Sequence, residues 1–198
     1  MARYLVCMTG ASGAFYGIRL LQVLASADGP CPGAQLHLVA SKWAERVVLQ
    51  ETGSPLTTHV AALGQGRIRT HDPEDLAAPV SSGSFRLDAT AVVPCSMGTA
   101  GAIASGLSGN LVQRAGAVAL KEGWPLVLVP RETPLSLVSL RALVILKEAG
   151  ATILPASPGF YTRPSGIDDL VDQIVARILD HMGLATPGAK RWEGRGEE

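Results

Sequence analysis

The chain has 198 residues, 47% of them hydrophobic and 17% charged, which fills one substantial domain and excludes a disordered chain. Its 17 basic side chains balance 17 acidic ones, so no global field holds nucleic acid or an anionic membrane, and an ionic ligand must meet local charges. Three widely spaced cysteines, Cys7, Cys31 and Cys95, fit a reducing cytoplasm and exclude a disulfide framework, while no stretch is long and apolar enough to span a bilayer.

Short apolar runs alternate with helical patterns along the chain. Tyr4 to Met8 reads as a buried strand, and Phe15, Ile18, Leu21 and Leu24 then recur at helical spacing. Leu36 to Ala40 reads as a second strand, followed by a helix from Lys42 to Glu51. The polar stretch from Gly53 to Ser84 reads as loops or a mobile flap. Ala89 to Val93 and Leu126 to Val129 are apolar runs that end at prolines, with a helix from Asn110 to Lys121 between them. A helix over Leu137 to Ala149 precedes a short strand at Thr152 to Leu154. The last helix carries one apolar stripe, Ile167, Leu170, Val171, Ile174, Val175, Ile178 and Met182, with a capping box expected from Ser165 and Asp168. Continuous apolar strands alternating with helices predict an α/β chain, a three-layer Rossmann-like fold with a mainly parallel sheet. The expected organisation is a single domain over residues 1–185 with a charged tail, 186–198.

In such folds ligands sit where loops leave the carboxyl ends of strands, and chemistry-bearing residues collect there. Thr9-Gly10-Ala11-Ser12-Gly13 opens the first helix; it reads either as a phosphate cradle or as an ordinary tight turn. Pro94-Cys95-Ser96-Met97-Gly98-Thr99 opens another helix, with Ser96 and Thr99 as ligand donors or as caps. Cys95 has no histidine nearby in sequence and reads as a buried structural thiol. Arg114 and Lys121 lie two turns apart on one helix and share a face; Arg131 and Glu132 follow a buried strand. Together they read as an anion site beside a carboxyl acid/base, against the plainer reading of solvated ion pairs. The four histidines make no ligand-spaced pair, so no metal is expected.

The ordered segments Met8 to Gly13, Tyr16-Gly17, Ser41-Lys42, Ser82-Gly83-Ser84, Pro94 to Met97, Arg114-Ala115, Leu120-Lys121-Glu122, Pro125 to Pro134 and Pro158-Gly159-Phe160-Tyr161 carry a resemblance. The chain resembles the UbiX/Pad1 family of flavin prenyltransferases over Arg3 to Leu184. That resemblance implies a flavoprotein fold and a cytoplasmic homododecamer with active sites between subunits. It implies reduced FMN and dimethylallyl phosphate as substrates, prenylated FMN as product, and a UbiD-type decarboxylase, of ubiquinone synthesis or of aromatic-acid metabolism, as the protein supplied. By motif, Gly10, Ala11, Ser12, Ser41, Ser96, Met97, Gly98, Thr99 and Arg131 are expected at FMN, its phosphate at the Gly10–Gly13 turn and the Ser41 region. Trp192 in the tail is expected to close over the site. Arg114, Lys121, Tyr161 and Arg177 are expected at the prenyl phosphate, and Ser12 and Glu132 as catalytic groups. One departure is visible: some members place an aromatic residue just before the Ser82-Gly83-Ser84 segment, and Leu76-Ala77-Ala78-Pro79 has none. The competing readings are an FMN-dependent cysteine-type decarboxylase, whose PASANT segment and active-site histidine are not seen, and a non-catalytic FMN-binding subunit.

Overall fold

The computed structural model describes residues 1–64 and 66–186. Within them six strands form one sheet: β1 (Arg3–Met8), β2 (Gln35–Ala40), β3 (Ile68–His71), β4 (Ala89–Cys95), β5 (Leu126–Pro130) and β6 (Thr152–Ile153). Their spatial order is β3-β2-β1-β4-β5-β6, and every pairing is parallel. This is the Rossmann-type order in which the chain winds outward from β1, crosses back, and winds outward from β4. The helices are α1 (Ala14–Ala25), α2 (Lys42–Thr52), α3 (Leu56–Ala61), α4 (Met97–Ala104), α5 (Leu111–Glu122), α6 (Leu137–Glu148) and α7 (Ile167–His181).

The period of two along each strand divides the core. Tyr4, Val6 and Met8 pack with Ile18 and Leu21 of α1, Val48 of α2, and Ile174 and Ile178 of α7. Leu5, Cys7, Val92 and Leu128 pack on the other face with Ile103 of α4, Leu111 and Ala115 of α5, and Leu146 of α6. α5 and α7 therefore cover opposite faces of the sheet. The strands are buried on both sides, which is why they read as unbroken apolar runs. Gly17 allows α1 to approach closely: a Cβ there would sit 2.6 Å from the Val93 carbonyl oxygen and 2.7 Å from Met8 Cε.

Several expectations are corrected. The stretch from Gly53 to Ser84 is not a flap of loops; it contains α3, β3 and a 3-10 turn at Pro79–Ser81. β3 was hidden because only its ends, Ile68 and His71, are buried. β4 and β5 run through Pro94 and Pro130 rather than stopping before them, and the ladder between them shifts register between Val92 and Cys95. The stripe of α7 begins at Val171, with Ile167 exposed. Ser165 bonds through its amide and hydroxyl to Asp169, both at 2.7 Å, not to Asp168.

At the edge of the sheet His37 and His71 are both buried, with Nδ1 of the first 2.9 Å from Nε2 of the second. Burial first, then His71, Arg69 and Arg3, lowers the His37 pKa to about 4; burial and Arg69 lower that of His71. In the unfolded chain both titrate near 6.5. Between these limits the unfolded state takes up protons that the folded state refuses, so stability is full above about pH 6.5 and falls as pH drops toward 4. Urea denaturation from pH 7.5 to 4.5 should show this acid loss, with a slope of up to about 1.4 kcal/mol per pH unit for each histidine. His37→Phe should flatten that limb; an unchanged slope would remove His37 from the account.

Candidate functional site

The ends of β1 and β4 diverge at the point where strand order reverses, and Thr9 joins them. Its hydroxyl donates to the Pro94 carbonyl at 2.8 Å and accepts from the Ser96 amide at 2.7 Å, and its own amide donates to the same carbonyl at 3.2 Å. Thr9 is 2% exposed, so these bonds are shielded from water. They hold the Gly10–Gly13 loop beside the start of α4.

Three helix amino termini meet this crevice. α1 follows Gly13, whose φ of 108° is a left-handed conformation that suits glycine. α2 is capped by Ser41, whose hydroxyl accepts from the Ala44 amide at 3.1 Å. α4 is capped by Ser96, whose hydroxyl accepts from the Thr99 amide at 3.3 Å and donates to Thr99 Oγ1 at 3.1 Å. Ser41, Ser96 and Thr99 thus serve as caps and face the crevice from helix starts. Gly10 is pressed against α2: a Cβ there would lie 2.6 Å from Trp43 Cβ. Gly98 meets no such obstacle. Met97 is half-buried in the first turn of α4, and Ala11 is buried in the loop.

Arg131 leaves the end of β5 and its Nε donates to the Ser12 carbonyl at 3.3 Å, while its amide donates to the Cys95 carbonyl at 3.4 Å. Glu132 follows on the exposed side, its carboxylate accepting from the Thr133 amide at 3.1 Å. So Gly10, Ala11, Ser12, Ser41, Ser96, Met97, Gly98, Thr99, Arg131 and Glu132 all gather at the carboxyl edge of the sheet. Cys95 is fully buried there with Cys7 behind it; burial pushes the Cys95 thiol up to about 12 and the Cys7 thiol higher still. A thiol so hard to ionise is a packing group, not a nucleophile.

A carboxylate absent from the sequence reading occupies part of the crevice. Glu51, near the end of α2, accepts from the Gly13 amide at 3.1 Å and the Ala14 amide at 2.8 Å. The anion position at the start of α1, where a phosphate was expected, is therefore filled by the chain itself. One signal existed: an acidic residue in a helix's last turn opposes the helix dipole, which suggests a partner elsewhere.

The expected phosphate ligands fall in two other places. Arg114 and Lys121 do share a face of α5. Arg114 Nε donates to the Ser81 carbonyl at 3.0 Å, and Lys121 pairs with Glu122 at 2.6 Å. The Ser82-Gly83-Ser84 loop lies against this pair so closely that a Cβ on Gly83 would overlap Glu122 Oε1 and sit 3.2 Å from Lys121 Nζ. But α5 ends at Glu122 and only Gly123, Trp124 and Pro125 separate it from the start of β5. Lys121 is thus at the amino edge of the sheet, a strand length of about 16 Å from Arg131. Phe85, the aromatic nearest that loop, is engaged by Arg3 over its ring at 4.3 Å and by His37 at its side. Tyr161 and Arg177 belong to the opposite face, with α7. Gly159 donates its amide to Gln173, one turn before Arg177, which sets the Tyr161 loop beside that helix. A single chain does not bring Arg114 and Lys121 to Tyr161 and Arg177, nor Lys121 to Ser12 and Glu132. Trp192 lies outside the described residues. Among the described residues no cluster of histidine, cysteine and carboxylate side chains is arranged to hold a metal ion, and no helix is long and apolar enough to cross a membrane.

The chain matches the Flavoprotein family over residues 1–179. It is 47% identical over 192 residues, 97% of this chain and 92% of the other, to a probable UbiX-like flavin prenyltransferase of Streptomyces sp. (strain D7). Among solved structures, AnUbiX in complex with FMN and dimethylallyl pyrophosphate is 46% identical, with a TM-score of 0.89 over 98% of this chain and 99% of that one. A dodecameric FMN-dependent UbiX-like decarboxylase from Escherichia coli O157:H7 is also 46% identical, with a TM-score of 0.89 over 97% and 100% of the two chains.

Thr9→Val keeps the shape and removes the hydroxyl, leaving the Ser96 amide unpaired. Unfolding free energy should drop by about 1–3 kcal/mol, and the crevice should loosen, weakening FMN binding. Urea denaturation and FMN titration of the variant measure both; wild-type values in both would show that Thr9 is not the join.

Proposed function

The chain belongs to the UbiX-like flavin prenyltransferases, within the Flavoprotein family, and from that premise we propose that it joins the dimethylallyl group of dimethylallyl phosphate to N5 and C6 of reduced FMN. The observation that carries this reading is the near full-length match to AnUbiX, solved with FMN and dimethylallyl pyrophosphate. The donor set fits such a ligand. Hydroxyls of Ser12, Ser41, Ser96 and Thr99, three helix starts and the Arg131 guanidinium suit a molecule with an anionic end and a polar ring. Because Glu51 holds the start of α1, the FMN phosphate is assigned to the Ser41 and Ser96 side of the crevice, with Gly10, Ala11, Met97 and Gly98 along the ring.

Reduced FMN, when bound, supplies the nucleophilic positions that accept the prenyl group. The chain's own residues do the rest. Arg114, Lys121 and Arg177 offset the charge of the prenyl phosphate in the bound substrate and in the departing group, with the Tyr161 hydroxyl as a further donor. Holding both substrates in one crevice turns a bimolecular step into a local one. Glu132, at the end of β5, would deliver a proton to the inner alkene carbon of the prenyl group as its outer carbon bonds C6, and take back the proton displaced from C6, with Ser12 relaying hydrogen bonds beside it.

These groups meet only when copies of the chain complete one another. Lys121 at the amino edge of one copy must face the carboxyl edge of another. α6 offers surface for such contacts: Leu137, Val138, Leu140, Val144 and Ile145 are all exposed on it. The assembly proposed is a homododecamer, by likeness to the Escherichia coli O157:H7 protein. The product is proposed to serve a UbiD-type decarboxylase, in the cytoplasm, where three free thiols remain reduced.

Anaerobic incubation with reduced FMN and dimethylallyl phosphate, followed by mass analysis of the flavin, should show the gain of one dimethylallyl unit; recovery of unchanged FMN would refute the reading. Glu132→Gln should slow single-turnover prenylation by roughly 10²–10⁴-fold while FMN binding is retained. Lys121→Ala should instead weaken prenyl-phosphate binding, by about 1.5–3 kcal/mol for one charge-assisted contact. Near wild-type turnover in Glu132→Gln would reduce Glu132 to a structural role.

A further inference from the structure

One face of α7 carries Gln173, Arg177 and Asp180 at spacings of four and three residues. Gln173 holds the loop of Tyr161 through the Gly159 amide. Arg177 Nη1 donates to Asp180 Oδ2 at 2.9 Å. The other carboxylate oxygen, Oδ1, accepts from Thr186 Oγ1 at 3.2 Å. The carboxylate is thus gripped from two sides, and it is the more buried partner: its side chain is 21% exposed against 53% for Arg177. The fixed group is the anion, and the guanidinium reaches outward from it with the rest of its donors free of hydrogen bonds among the described residues.

An exposed pair at this spacing adds little to stability. An acidic side chain in the last turn of a helix also opposes the helix dipole. Stability is therefore a poor reason for Asp180 to stand here, whereas orientation is a good one. Arginine binds phosphate through a planar fork, and a fork that is already aimed loses less freedom on binding than a free one.

We propose that Asp180 is a positioning residue for prenyl-phosphate binding, fixing the Arg177 guanidinium in the orientation that meets the phosphate. This rests on the reading of Arg177 as a phosphate ligand. The opposite role, a counter-ion that merely weakens the site's positive charge, makes the opposite forecast: removing Asp180 would then tighten phosphate binding.

The test uses the full chain with reduced FMN and varied dimethylallyl phosphate, comparing wild type, Asp180→Ala, Asp180→Asn and Arg177→Ala. Asp180→Ala should raise KM for the prenyl phosphate by about fivefold, with kcat at saturation and the FMN dissociation constant unchanged. Asp180→Asn keeps an acceptor oxygen toward Arg177 without the charge and should recover most of that loss. Arg177→Ala should raise KM more than either. An unchanged or lowered KM in Asp180→Ala, or equal damage in Asp180→Asn and Asp180→Ala, overturns the proposal while the Arg177 assignment stands. An unchanged KM in Arg177→Ala overturns that assignment and the role of Asp180 with it.

Discussion

The buried hydroxyl of Thr9 ties together two strands that the topology sends apart. β1 and β4 are neighbours, yet the chain leaves them in opposite directions across the sheet, so the space beyond their ends is open. The bonds from Thr9 to Pro94 and Ser96 keep that space from widening. Ser12, the start of α4 and the Arg131 bond to the Ser12 carbonyl all depend on the spacing they set. A crevice lined by helix starts and hydroxyls offers donors to a ligand with an anionic end.

The same topology explains why the candidate residues lie apart. Carboxyl-edge loops carry Ser12, Ser96, Arg131 and Glu132, but α5 delivers Lys121 to the other edge, and α7 carries Arg177 on the other face. Parallel strands joined by helices place successive loops at alternate ends of the sheet, so no single copy collects all of these cations. Charge repulsion gives a reason for keeping them apart before substrate arrives. Three acids in the last turns of helices have partners: Glu51 caps α1, Glu122 holds Lys121 and Asp180 holds Arg177. On the proposed reading, phosphate entry exchanges internal pairs for new ones instead of filling a bare positive pocket.

Much of this was legible in the residues. Strands buried on both faces appear as apolar runs, and Gly10 to Gly13, Ser96 to Thr99 and Arg131-Glu132 stand at strand ends because such ends are where an α/β sheet exposes its loops. The helix from Leu111 and the stripe of α7 were readable by period. What was missed depends on distant contacts. β3 shows no periodic signal because its two central residues are exposed, and α3 is too short to develop a stripe. Glu51 and Gln173 look like ordinary surface residues until a helix start or a loop is folded against them. Asp169 rather than Asp168 receives Ser165, a choice that local spacing alone does not decide. The separation of Lys121 from Glu132 follows from which end of α5 each edge receives, and it becomes visible only once strand order is known.

On the proposed reading, one copy's carboxyl-edge site is completed by cations of another. Hybrid assemblies test it most directly: Lys121→Ala and Glu132→Gln chains, each strongly impaired alone when prenyl phosphate is scarce, are unfolded together, refolded as a mixture and assayed for prenylation at that low concentration. If a site takes Glu132 from one copy and Lys121 from another, random mixing restores about a quarter of the sites, and activity returns to that order. If both residues act within one copy, the mixture stays as inactive as its parts, and the account of a divided site is wrong.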